Sequence, residues 1–132
     1  MSSRNVSSRF LMLGCLFAGT AVAAGAFGAH ALKGLLDFQM LAVFDTATRY
    51  QMYHALGLCI VAFAIAQDVA RGLVVSGWCF VSGIVLFSGS LYVVALTGIK
   101  WVGAITPFGG VAFLVGWGLL AWRVWSSPST SN

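Results

Sequence analysis

Charged residues in this chain occur in clusters that are separated by four long uncharged stretches. These stretches cover residues 10–32, 50–67, 72–99 and 101–122. The hydrocarbon core of a bilayer is about 30 Å thick, and a helix needs about 20 residues to cross it. Each stretch is therefore long enough for one transmembrane helix, and the spacing of the charges predicts an integral membrane protein with four spans.

The composition excludes several other classes of protein. Of the 132 residues, 60% are hydrophobic and 8% are charged, whereas soluble domains have about 25% charged residues. The net charge of +4 is spread too thinly to form the basic stripe that nucleic acid requires. An ordinary soluble enzyme, an acidic disordered chain and a DNA-binding module are therefore not expected, and neither is a nucleic-acid partner.

We predict an all-α membrane protein, a bundle of four transmembrane helices that forms a single domain over residues 1–132. A short amphipathic helix is expected at the membrane surface over residues 37–48, with Asp37 as its cap. The alternative is that this segment simply begins the second span. The expected spans are residues 10–31, 50–67, 73–95 and 101–123, with polar tails over residues 1–8 and 126–132.

The first span has some features of a cleavable signal peptide. Arg4 and Arg9 precede an apolar run that contains the small residues Ala21-Val22-Ala23. Because the run continues to Leu32, it is longer than a signal core usually is. We therefore expect an uncleaved span, with cleavage as the alternative.

The distribution of cations predicts the orientation. Four spans place both termini on one side of the membrane, and more cations lie on that side than on the other. The positive-inside rule then places the termini in the cytoplasm. The cations on the terminal side are Arg4, Arg9, Arg71 and Arg123, and those on the opposite side are Lys33, Arg49 and Lys100.

Polar residues from different spans gather at one membrane face in this arrangement. An Arg or His at membrane depth is costly unless it has a partner. We therefore consider two interpretations: a pocket for an anion, a lipid headgroup or a quinone-like ring, or side chains that hydrogen-bond one another and fix the bundle. The candidate residues are His30, Arg49, Tyr50, Tyr53, His54, Ser88, Ser90, Tyr92 and Thr106.

Small residues and one proline are candidates for helix packing. Gly25, Gly28, Gly109 and Gly110 would let neighbouring helices approach closely. Pro107 lies within the fourth predicted span, where it would remove one backbone donor and free a carbonyl group.

The sequence lacks the usual patterns of catalytic and metal sites. Ser88-Gly89-Ser90 is not a nucleophile elbow, and no carboxylate lies within a span to orient a histidine. The three cysteines form no C-x-x-C motif, and His30 and His54 have no third histidine to complete a metal site. We therefore expect no catalytic residues, no metal, no cofactor and no enzymatic activity.

Four ordered segments resemble the YgdD-like family of small bacterial inner-membrane proteins, which is grouped as a domain of unknown function. The resemblance extends from about Arg9 to Arg123 and implies an uncleaved four-span protein in a bacterial inner membrane. It transfers no catalytic residues. The segments that carry it are Gly25-Ala-Phe-Gly-Ala-His-Ala-Leu-Lys33, Arg49-Tyr-Gln-Met-Tyr-His-Ala55, Leu86-Phe-Ser-Gly-Ser-Leu-Tyr92 and Gly103-Ala-Ile-Thr-Pro-Phe-Gly-Gly110.

These observations favour a non-enzymatic accessory or scaffold protein of the inner membrane. Its expected partners are membrane lipids and, in a homo-oligomer or a larger membrane complex, other membrane proteins. The alternatives are a small-solute or ion transporter or channel, and a lipid- or quinone-binding protein that uses the polar pocket in one leaflet.

Overall fold

The computed structural model contains four long helices and describes residues 3–67 and 72–126. The prediction of an all-helical fold is confirmed. The helices are α1, Ser3–His30; α2, Phe38–Ala66; α3, Val74–Thr97; and α4, Thr106–Trp125.

Short irregular segments connect and interrupt these helices. The 3₁₀ turns Leu32–Gly34 and Lys100–Ile105 precede α2 and α4. Helix α3 contains one π-helical turn, Ile84–Ser88. It ends at Gly98, whose φ of +72° lies in the left-handed region that glycine adopts without a steric penalty.

The segment over residues 37–48 differs from the separate surface helix that the sequence predicts. Asp37 caps the segment as expected, since its carboxylate accepts a hydrogen bond of 2.8 Å from the Met40 amide. The helix then continues unbroken to Ala66. No proline interrupts residues 38–66, and the Asp45–Arg49 ion pair lies across the expected boundary. The segment is therefore the first part of α2.

The N-terminal tail also differs from the expectation. Helix α1 begins at Ser3, and the buried Ser7 hydroxyl donates a 2.8 Å hydrogen bond to the Ala62 carbonyl of α2. This contact incorporates most of the expected tail over residues 1–8 into the bundle. Within the expected C-terminal tail, only Ser126 is described. Asp68 and Arg71 also lie outside the described residues.

Three helical segments within residues 3–67 and 72–126 are long and apolar enough to cross a membrane. They are Ser3–Gly34, Val74–Thr97 and Lys100–Trp125. Helix α2 is not among them, and its middle turns carry Arg49, Gln51 and His54. Yet α2 contains more buried residues than any other helix. The helix with these polar side chains is therefore the one that the others cover most.

Small residues form the contact between α1 and α2. The buried positions Ser7, Gly14, Ala21 and Gly28 recur every seven residues along α1, the spacing that keeps one seam facing a partner helix. A β-carbon added at Gly14 would lie 2.7 Å from the Cys59 sulfur, and the Cys15 and Cys59 thiols hydrogen-bond each other. The two helices are therefore in close contact along this seam.

Two of the predicted packing glycines, Gly25 and Gly28, lie at the loop end of this contact. A β-carbon at Gly28 would lie 3.0 Å from the Phe44 ring, and one at Gly25 would lie 3.4 Å from Thr48. Position 28 therefore favours glycine, whereas a β-carbon at position 25 would make only an ordinary van der Waals contact.

Aromatic rings fit against glycines between α3 and α4. A β-carbon at Gly116 would lie 2.7 Å from the Phe80 ring, and one at Gly109 would overlap the Phe87 backbone. Gly110 is less constrained, because a β-carbon there would lie 3.8 Å from the Phe87 ring. Pro107 lies in the first turn of α4, whereas the predicted span of residues 101–123 places it in the helix interior. At that position its missing N–H removes no intrahelical hydrogen bond, so the expectation of a freed carbonyl is wrong.

Candidate functional site

A buried glutamine connects three helices at the centre of the bundle. Gln51 of α2 is only 6% exposed. Its amide nitrogen donates to the Phe17 carbonyl and the Thr20 hydroxyl of α1, both at 2.8 Å. Its amide oxygen accepts a hydrogen bond of 2.9 Å from the Tyr92 hydroxyl of α3. Gln51 therefore hydrogen-bonds to α1 and α3 at the same depth.

Thr48 completes this set of polar residues, which we call the Gln51 network: Thr20, Thr48, Gln51 and Tyr92. The Tyr92 hydroxyl lies 3.3 Å from the Thr48 hydroxyl, farther than from Gln51. Both threonine hydroxyls donate to carbonyl groups of their own helices, at 2.9 Å and 3.0 Å. Every amide and hydroxyl proton of the network is thus directed at an acceptor within the chain.

A second hydrogen-bonded pair connects α3 to α4. The Ser90 and Thr106 hydroxyls are 2.6 Å apart, and Ser90 also donates to the Phe87 carbonyl at 2.9 Å. Since Ser90 has one proton and gives it to that carbonyl, Thr106 donates to Ser90. This pair fixes the start of α4 against α3.

His54 is enclosed by aromatic rings from the other helices. It is 5% exposed, and its ring stacks on Phe113 with centroids 3.3 Å apart and planes 7° from parallel. The Phe80 and Trp117 rings lie about its sides, at 5.7 and 6.1 Å. Its Nδ1 lies 2.6 Å from the Tyr50 carbonyl oxygen. A carbonyl only accepts, so Nδ1 carries the proton, and this bond fixes the ring orientation.

Ser88, at the end of the π-helical turn, is buried differently from the other polar residues. It is 1% exposed, and its hydroxyl has no hydrogen-bond partner within the described part of the chain. π-Helical turns are often associated with functional sites. A buried hydroxyl without a partner lowers the stability of the fold by about 1–3 kcal/mol. The Ser88 hydroxyl is therefore a polar group that makes no hydrogen bond between the helices in the described part of the chain.

The structure places the predicted pocket residues in two groups. His54, Ser88, Ser90, Tyr92 and Thr106 lie wholly or partly within the bundle. Arg49 is 64% exposed in its side chain and pairs with Asp45 at 2.5 Å on the outer face of α2. The remaining exposed residues are His30, Tyr50 and Tyr53, although the Tyr50 ring stacks on Phe87 with a centroid distance of 4.6 Å.

Sequence reasoning missed three members of the Gln51 network: Thr20, Thr48 and Gln51. The available signal was chemical, because an amide or hydroxyl within a transmembrane helix usually bonds to another helix. Gln51 lies between Arg49 and His54, both of which attract more attention as titratable groups. The neutral amide makes the interhelical contacts, while the arginine faces outward.

A cavity of about 410 Å³ borders the Gln51 network. It lies among α1, α2 and α3, and Thr20, Gln51 and Tyr92 contribute its polar wall. Its other lining residues are Phe17, Ala24, Ile84, Val85 and Gly89. Since the donors of the network are already engaged, the cavity offers a molecule apolar contact and hydroxyl lone pairs, and no uncommitted donor from the network.

Comparison with known proteins connects this architecture to a family. The family model described as "Protein of unknown function (DUF423)" matches residues 24–110, a range that includes Gln51, His54 and Tyr92. No solved structure matches the chain significantly.

Curated relatives cover most of the chain. The UPF0382 membrane protein YwdK of Bacillus subtilis is 50% identical over 109 residues, which cover 82% of this chain and 89% of the relative. A UPF0382 membrane protein of Staphylococcus saprophyticus is 50% identical over 111 residues, covering 84% of this chain and 92% of the relative. The chain therefore belongs to the DUF423 family of UPF0382 membrane proteins.

Proposed function

We propose that all four helices cross the bilayer, with α2 as the fourth span. Helix α2 lies along α1 over nearly the full length of both helices. Near one end Ser7 hydrogen-bonds to the Ala62 carbonyl, and near the other Gly28 faces the Phe44 ring. A helix that lies along a span in this way occupies the same depth in the membrane. The buried Gln51 side chain finds its partners inside the bundle, which supports insertion of α2.

Cysteine labelling tests this topology. In a variant without native cysteines, single cysteines are introduced at Ser3, Gly34, Lys100 and Ser126 and treated with a membrane-impermeant maleimide. Four spans place Ser3 and Ser126 on one side, and Gly34 and Lys100 on the other. If α2 does not cross, Ser3 and Ser126 react from opposite sides, and the proposal is wrong.

We further propose a bacterial inner membrane as the location, with both termini in the cytoplasm. The excess of arginines on the terminal side supports this orientation. In intact spheroplasts, a cysteine at Lys100 should react with the impermeant maleimide, and one at Ser126 should react only after lysis. Reaction of Ser126 before lysis would reverse the orientation.

We propose that the protein acts in this membrane as a non-enzymatic accessory or scaffold component. The observation that carries this proposal is the engagement of every donor proton of the Gln51 network within the chain. Such a network holds α1, α2 and α3 in a fixed arrangement. A fixed arrangement of helices is what a scaffold needs in order to present a constant surface to its neighbours.

Native mass spectrometry of the full chain from a mild detergent tests the scaffold role. We expect a defined homo-oligomer or a stoichiometric complex, which Gln51→Leu weakens by loosening the bundle. Gln39→Leu is the matched control, because Gln39 is an exposed glutamine on the same helix. A monomer alone, or equal effects of the two substitutions, would count against this role.

The cavity beside the Gln51 network favours a second candidate, the binding of a lipid-soluble molecule such as a quinone in its reduced form, whose hydroxyls can donate to the free lone pairs of the network. A volume of about 410 Å³ is in the range of small-ligand sites. A β-carbon at Gly89 would meet nothing within 4 Å, so Gly89→Val extends a side chain from the cavity wall. If the cavity binds such a molecule, extracts of protein purified from native membranes contain it. Gly89→Val then removes it, and the control Gly118→Val does not.

A further inference from the structure

A surface groove lies at the loop end of the bundle, separate from the Gln51 network cavity. It has a volume of about 360 Å³ between the last turns of α1 and the first turns of α2. Its walls are mainly apolar, with Phe38, Leu41 and Phe44 on the α2 side. Lys33 and Asp45 supply the charged groups of its lining. The groove is therefore amphipathic.

The length of α1 places this groove at the level of lipid headgroups. At 1.5 Å per residue, the 28 residues of α1 extend about 42 Å. The hydrocarbon core is only about 30 Å thick, and the headgroup layers bring the bilayer to about 40–45 Å. The last turns of α1 and the adjoining Lys33 therefore reach the headgroup layer, while Gly25 lies nearer the acyl chains.

The charged groups of the groove lining, together with Arg49, favour an anion. Lys33 carries a positive charge, and the Asp45 carboxylate is neutralised by Arg49 at 2.5 Å. The groove and this ion pair together thus carry a net charge of about +1, and apolar walls lie beside it. A molecule that fits combines one negative charge with apolar chains, as an anionic phospholipid does.

We propose that the surface groove binds an anionic phospholipid. The phosphodiester lies beside Lys33, and the glycerol and first acyl methylenes lie against Phe38, Leu41 and Phe44. Asp45 regulates the affinity of this site, because it pairs with Arg49. Without this ion pair, Arg49 would attract the phosphate.

Native mass spectrometry of the full-length protein tests the proposal, with phosphatidylglycerol and phosphatidylcholine as probes at equal concentration. One cation near an anionic lipid contributes about 1 kcal/mol, which corresponds to about fivefold in affinity. We expect phosphatidylglycerol to bind about fivefold more tightly than phosphatidylcholine. Lys33→Ala removes this preference, whereas Asp45→Asn increases it about fivefold by releasing Arg49.

Two further variants distinguish lipid binding in the groove from nonspecific electrostatic attraction of the lipid to the protein surface. Lys100→Ala removes an exposed cation that lies outside the groove lining and that the proposed four-span topology places at the same membrane face, so the lipid preference should persist. Ala29→Leu narrows the groove at an exposed position and should weaken phosphatidylglycerol binding without changing any charge. Gel filtration checks that each variant remains folded.

Three outcomes would overturn the proposal. The first is equal binding of the two lipids, and the second is an equal loss of phosphatidylglycerol binding in Lys33→Ala and Lys100→Ala. The third is binding of soluble glycerol phosphate as tight as that of phosphatidylglycerol, which would mean that the groove recognises a free phosphate and that its apolar walls contribute nothing.

Discussion

The half of the bundle around Phe80 and the half around Gln51 are held together by different interactions. Around Phe80, which we call the apolar half, helices meet where an aromatic ring lies over a glycine, as with Phe80 and Gly116. Around Gln51, which we call the polar half, they are joined by side-chain hydrogen bonds between α1, α2 and α3. Helices α1, α2 and α3 take part in both halves.

The contrast follows from the bilayer as a solvent. Lipid tails are as apolar as leucine, so apolar contact alone gives helices little reason to associate. In the apolar half, close van der Waals packing of rings against glycines stabilises helix association. Ser7 and Ser76 add hydrogen bonds to carbonyls of neighbouring helices. In the polar half, the cost of an unpaired amide in the membrane favours one arrangement of the helices.

The largest expected effect is in the apolar half. Phe80 is 0% exposed and packs against the Trp117 ring at 4.8 Å. Phe80→Ala should lower the free energy of unfolding by about 3–5 kcal/mol, because it leaves a cavity. Unfolding in mixed micelles by added dodecyl sulfate measures this change. The control Phe108→Ala, at a position 70% exposed, should have a much smaller effect, and equal losses would contradict the packing described.

Gly116→Ala tests the fit of ring against glycine in the same half. The added methyl group would lie 2.7 Å from the Phe80 ring, and overpacking of this kind costs about 1–3 kcal/mol. Gly118→Ala is the matched control, because its β-carbon would meet nothing within 4 Å. The control should stabilise the helix by up to about 1 kcal/mol. In the same unfolding assay, Gly116→Ala should therefore lower the free energy of unfolding and Gly118→Ala should raise it. A change of the same sign in both variants would contradict the close packing of Phe80 on Gly116.

Gln51→Leu should have an intermediate effect, in the polar half. The substitution removes three hydrogen bonds to α1 and α3. Interhelical bonds in membranes average about 0.6 kcal/mol, so the free energy of unfolding should fall by about 2 kcal/mol. Gln39→Leu controls for the change of residue type. If both variants unfold alike, the network does not hold the helices.

The smallest effect is expected at Ser88. Because its buried hydroxyl has no partner in the described residues, Ser88→Ala should leave the unfolding free energy unchanged or raise it by about 1 kcal/mol, the lower end of the cost of an unpaired buried hydroxyl. Ser90→Ala, which breaks the bond to Thr106, should lower it by about 0.6 kcal/mol. A substantial loss in Ser88→Ala would reveal a partner for this hydroxyl.

Much of the fold could be predicted because charge is so costly in a bilayer. The uncharged stretches marked the helices, and the cap at Asp37 followed from its side-chain chemistry. The start of α2 was harder, because nothing in residues 37–48 distinguishes a surface helix from the first turns of a longer one. The predicted start of the fourth helix, and with it the position of Pro107 in the helix, is wrong because a 3₁₀ turn over Lys100–Ile105 delays the start of α4 to Thr106.

The site was less predictable from the sequence because lipid-facing and helix-facing residues are equally apolar. Hydropathy therefore does not show which side of α2 is covered. Arg49 and Gln51 are only two residues apart, yet they point to different surroundings: Arg49 pairs with Asp45 on the outside, and Gln51 bonds to α1 and α3. Only the positions of the neighbouring helices decide between them.

A double-mutant cycle between Gln51 and Tyr92 tests the central claim, that side-chain hydrogen bonds hold the polar half together. Gln51→Leu, Tyr92→Phe and the double variant are compared by unfolding in mixed micelles, with Tyr53→Phe in place of Tyr92→Phe as the control pair. The bond of 2.9 Å predicts a coupling of about 0.6–1.7 kcal/mol for Gln51 with Tyr92, and none with Tyr53. Additive effects of Gln51→Leu and Tyr92→Phe would contradict the claim.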